Sequence, residues 1–170
     1  MRLAAWIGVM LAALAFCAAA GCAVPVAAVG AAAALTLRPR AAFAAAGLVW
    51  LAGQIWQVTA MGYALDGSAL LWGGALLALS LACVAAPVGL AGVVRRAPAP
   101  VVWAGAFTLA FVVYEGGLFG ISLLLAGRTG LFAPVLLASA LAVNATVFGV
   151  LAAASRLRPM ATTRAAAVEA

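Results

Sequence analysis

The stretch FVVYEGGLFG, Phe111–Gly120, holds Glu115, the only carboxylate in the hydrophobic part of the chain. It sits in an apolar run from Val101 to Ala126 whose midpoint falls beside Glu115. An ionised side chain at such a depth costs on the order of 3 kcal/mol or more to insert in a bilayer. A carboxylate placed there calls for a partner, a polar cavity or a task.

The composition around that run has the same character. Hydrophobic residues make up 69% of the 170 and charged ones 7%, against roughly 45–50% and 25% in soluble domains. A water-soluble core of this size has no use for so much apolar surface, whereas several spans of about 20 residues account for it. The reading is an all-α integral membrane protein forming a single polytopic domain over 1–155. The net charge of +6 is carried by nine arginines without a lysine. They stand singly or in pairs between apolar runs, as orienting anchors do, so the expected partner is the lipid bilayer and not nucleic acid. Arginine-only usage with abundant alanine points to a GC-rich bacterial genome, hence to the bacterial cytoplasmic (inner) membrane.

Histidine is absent, and Cys17, Cys22 and Cys83 lie inside apolar segments. No zinc or haem ligand set can be drawn from them, so neither metal nor cofactor is expected, and the cysteines read as small apolar residues.

The uncharged segment from Leu3 to Ala34 would reach about 48 Å as one helix, beyond a hydrocarbon core of about 30 Å. Gly21 and Pro25 near its middle point to a hairpin. Six spans are expected, at about 3–20, 23–37, 41–60, 69–94, 101–126 and 131–154, arranged as three hairpins, with a short basic tail over 156–170. Arg38-Pro39-Arg40, the Met61–Ser68 loop, Arg95-Arg96 with APAP at 97–100, and the Gly127–Gly130 turn separate them. With both termini cytoplasmic, every arginine except Arg128 falls inside, in keeping with the positive-inside rule. The start has a competing reading. Arg2, an apolar core and Ala-Ala-Gly-Cys ending at Cys22 look like a bacterial lipoprotein signal, and Ala18–Ala20 would suit ordinary signal cleavage. An uncleaved span is preferred because apolar sequence resumes at once.

The candidate ligand-binding or proton-accepting residues are Glu115, Asn144, Gln54, Gln57, Ser122 and Thr108. Thr108, Glu115 and Ser122 recur every seven residues and share a face over about 21 Å. The plainer account is that the two hydroxyls bond their own helix. Gly116 and Gly120 form a GxxxG surface, a place for a second helix or a homo-oligomer partner. Asn144 is nearly level with Glu115 if the last two spans pack as an antiparallel hairpin, so its amide is the expected intramembrane partner. Glu115 is then either a neutral hydrogen-bonding group or a proton acceptor.

Trp50, Gln54 and Gln57 share a face that runs outward, towards Tyr63, Asp66, Trp72 and Arg128. They read either as a polar vestibule leading down to Glu115 or as interfacial aromatics and interhelical hydrogen bonds. Pro87 and Pro134 are candidate kinks. The expected function is a small-solute or proton-coupled transport component, with an auxiliary or assembly subunit of a larger membrane complex as the alternative. Enzyme activity is not expected, since no nucleophile and base can be paired.

Overall fold

Prolines decide where most of the helices begin. The computed structural model describes residues 24–93, 97–126 and 133–156, which form five helices and no strand. These are α1 (Val26–Thr36), α2 (Pro39–Thr59), α3 (Gly67–Val93), α4 (Ala99–Ala126) and α5 (Pro134–Arg156). Pro39 and Pro134 stand at the first helical position, where a missing N–H costs nothing. Pro134 therefore opens α5 instead of kinking it, contrary to expectation. The α4 chain turns in at Pro98, whose carbonyl accepts from the Val101 and Val102 N–H groups. At the other end of α2, Gly62 at φ +69° reverses the chain, a conformation that side chains with a Cβ disfavour.

Four of the helices, α2 to α5, are long and apolar enough to cross a membrane. The first is not. α1 has 11 residues, about 16 Å, roughly half of a hydrocarbon core. The span expected at 3–20, the signal-like Cys22, Arg95-Arg96, the turn at 127–130 and the tail beyond 156 lie outside the described residues.

This short helix is the centre of the bundle. One of its faces, Ala28, Val29, Ala32 and Ala33, packs on Ala42, Ala45, Ala46 and Val49 of α2 and on Val147 and Leu151 of α5. The opposite face, Val26, Ala27 and Ala31, packs on Cys83 of α3 and Ala110 of α4. Its sequence, VAAVGAAAALT, explains how one helix can touch four others: small side chains keep it thin enough for backbones to approach.

The closest approach is at Gly30. A Cβ added there would lie 2.8 Å from the Cys83 Cβ and 2.9 Å from the Cys83 carbonyl oxygen. That carbonyl is unusual in its own helix. Its donor would be residue 87, which is the buried Pro87, and proline has no N–H to give. Glycine thus meets α3 where proline has freed a carbonyl, a setting for a Cα–H···O contact.

Because α1 packs against both α4 and α5, these two do not form the close hairpin that the sequence implied. They meet chiefly through aromatic rings, with Phe148 of α5 at 5.5 Å from Trp103 and 4.9 Å from Phe107. That contact lies towards the start of α4, well away from Glu115.

Candidate functional site

The polar residues separate into a packed interior set and an open set at the end of α2 and α3. In the interior, Asn144 lies about 15 Å from the start of α5. Its Oδ1 accepts the Ala28 N–H at 3.0 Å, and its Nδ2 donates to the Ala140 carbonyl at 3.0 Å. The expected bond to Glu115 is not made. The reason lies at the start of α1. A helix leaves its first N–H groups without acceptors, and a polar N-cap side chain normally supplies one. Pro25 occupies the N-cap and has no such group. The Val26 N–H turns back on the Val24 carbonyl at 2.8 Å, with Pro25 at φ −79° and ψ 62°, an inverse γ-turn. The third helical N–H, that of Ala28, is capped from another helix by Asn144.

Glu115 is half-buried on α4. Among the described residues it forms no ion pair and no hydrogen bond, and Cys83 and Tyr114 lie within reach of its charge. The Cys83 thiol is free and donates to the Ala110 carbonyl at 3.4 Å. Thr108 and Ser122, which share the face of Glu115 by spacing, differ sharply in burial: Thr108 is exposed, while Ser122 is 1% exposed. Ser80, the other buried serine, donates to the Leu76 carbonyl at 2.7 Å. Ser122 does not follow it, and its Oγ is the one buried side-chain polar atom without a partner among the described residues. Gly116 and Gly120 face open space.

The open set surrounds a cavity of about 1040 Å³ between α2, α3 and the 60–66 loop. Gln54, Gln57, Trp50, Trp56, Tyr63, Asp66 and Trp72 all line it. Two anchors hold its shape. The Trp50 Nε1–H donates to the Gly73 carbonyl at 2.8 Å, tying α2 to α3. The Asp66 Oδ1 accepts the Ala69 N–H at 2.7 Å, capping α3. Gln54 lies against Gly73, its Oε1 being 3.2 Å from where a Cβ would stand. Neither glutamine bonds a neighbouring helix among the described residues, so their amides are left to face the cavity. Among the described residues, Glu115, Ser122, Asn144 and Thr108 do not line it, so of the two readings the sequence left open, a vestibule leading down to Glu115 is not formed there. Among the described residues no group of His, Cys, Asp and Glu is close enough to hold a metal ion.

No family model, curated protein or solved structure matches the chain.

Among the described residues the chain carries four apolar helices of membrane-spanning length, the property of a multi-pass membrane protein. The asparagine cap was hidden in the sequence because cap and helix end are far apart in the chain. The one available signal was Pro25 at the start of an apolar helix, which announces a helix end that must be satisfied from elsewhere.

Proposed function

We propose that this chain is a solute-binding transport component of a bacterial cytoplasmic membrane, with six spans, both termini inside and the 60–66 loop outside. The cavity between α2 and α3 carries this reading: it is of ligand size, it gathers both carboxamides of α2, and among the described residues neither has a hydrogen-bond partner. A half-length helix ending inside the bundle supports it too, because discontinuous helices are a recurrent element of transporters. Glu115 serves as a proton acceptor, separate from the solute cavity. No catalytic step belongs to this reading.

The test is native mass spectrometry of the protein taken at natural abundance from its own membrane. The full chain with a bound small molecule is the expected result. A stoichiometric complex with another membrane protein and no small molecule would overturn it in favour of an auxiliary subunit, a reading favoured by the open Gly116 and Gly120 surface of α4. Once a solute is in hand, Glu115→Gln should abolish the dependence of its uptake on a proton gradient while expression and solute binding persist. Unchanged gradient dependence would remove Glu115 from the mechanism.

A further inference from the structure

The cavity between α2 and α3 has a chemistry narrower than "small solute". Its walls combine aromatic faces with one formal charge. Trp56 is 46% exposed and Tyr63 61% exposed, and Trp50 and Trp72 add two further rings to the lining. Among the described residues Asp66 supplies the only charged side chain in that lining, although the chain as a whole carries +6. No arginine reaches the cavity among the described residues. One Asp66 oxygen is committed to the α3 cap; among the described residues the second has no partner and remains for a ligand.

We infer that this cavity binds an organic monocation of the ammonium class with an apolar body. Aromatic faces carry negative quadrupole density and attract such cations, most strongly those too weakly hydrated to prefer water. The Asp66 carboxylate adds a full negative charge at the same mouth. Gln54 and Gln57 present amide oxygens as further acceptors, which suit a substituted ammonium and also a hydroxyl on its body. Among the described residues an anion would meet one carboxylate and no cation. A neutral apolar molecule would leave both glutamines and the aspartate unused. At about 1040 Å³, the space is at the upper end of the range of roughly 300–1,000 Å³ found for small-molecule sites.

Two sources share this chemistry: a free quaternary or tertiary amine, and the choline-type headgroup of a lipid entering from the side. The inference rests on the solute-binding reading above and specifies its ligand.

The experiment titrates the full chain, in an uncharged maltoside detergent, with benzyltrimethylammonium and with its neutral carbon isostere neopentylbenzene, following tryptophan fluorescence. The cation should bind at least about tenfold more tightly than the isostere. Asp66→Asn should erase most of that preference. Asparagine caps helices as well as aspartate does, so the variant keeps α3 intact, and its thermal midpoint should stay within a few degrees of the parent. Trp56→Leu should weaken the cation more than the isostere. Equal affinity for the two probes, or an unaltered preference in Asp66→Asn, overturns the inference.

A second arm repeats the titration in nanodiscs of phosphatidylcholine and of an uncharged glycolipid. Weaker probe binding in phosphatidylcholine identifies the lipid headgroup as the source, and equal binding identifies a free amine; both require the cation preference. A neutral solute found by native mass spectrometry, with no cation preference here, would sink the ligand class and leave the transport reading standing. Cation binding in a chain found only as a subunit of a larger complex would do the reverse.

Discussion

The middle of the bundle and its α2–α3 mouth are built from opposite materials. Around α1 the contacts are alanine on alanine, glycine on backbone, and one carboxamide closing a helix end. At the mouth the side chains are large and aromatic, and the space between them is open. Both regions hold two helices close, and the means differ: Gly30 lets α1 and α3 touch directly, whereas Trp50 bridges α2 to α3 through a hydrogen bond to Gly73. Small residues close a membrane interior because lipid offers no hydrophobic drive between helices, and packing contact is what remains. Large residues with polar tips can hold helices apart and leave room for an occupant.

The largest expected effect separates the two regions by the same kind of substitution. Gly30→Ala should lower stability by about 3 kcal/mol or block folding, since its Cβ would collide with α3 backbone that cannot swing aside. Gly74→Ala, at the mouth where nothing lies within 4 Å, should be neutral or raise stability by up to about 1 kcal/mol through helix propensity. Denaturation in mixed micelles measures both. Similar responses would mean that the interior is no tighter than the mouth.

The next effect concerns the cap. Asn144→Ala should cost about 2 kcal/mol, because the buried Ala28 N–H loses its acceptor. Hydrogen exchange should rise first in α1 and leave the Trp50 environment unaltered. A stability matching the parent would show that the cap is not what holds α1.

The smallest effect is at Ser122. Removing a buried hydroxyl that has no partner among the described residues relieves its desolvation cost, so Ser122→Ala should be neutral or stabilising by up to about 1 kcal/mol. A loss beyond 1 kcal/mol would show that the hydroxyl is engaged after all.

The sequence was most legible where length and loops govern. The long apolar runs mark α2 to α5, because a bilayer leaves a helix as the economical way to satisfy the backbone. The short loop after Thr59 brings the ends of α2 and α3 together, so Gln54, Gln57, Tyr63, Asp66 and Trp72 could be read as neighbours before their positions were seen. What stayed hidden is helix order. Equal depth made Asn144 a partner for Glu115 only if α4 and α5 were adjacent, and α1 packs between them. An alanine-rich helix buried on every side has no apolar stripe to announce it, since hydrophobic periodicity requires a polar face for contrast. Thr108 and Ser122 share a helical face by spacing, yet the neighbours along that face change over its length, and only one of the two is buried.

The bond from Ala28 to Asn144 joins residues separated by 116 positions. In a chain synthesised from its N-terminus, α1 emerges long before α5 exists. Its open end must wait in the translocation machinery, against lipid or beside water, until the chain has been made as far as Asn144. The arrival of α5 therefore acts as a checkpoint in biogenesis: nascent chains stopped before Asn144 should remain bound to insertion factors or be degraded, whereas chains only slightly longer should be released as settled bundles.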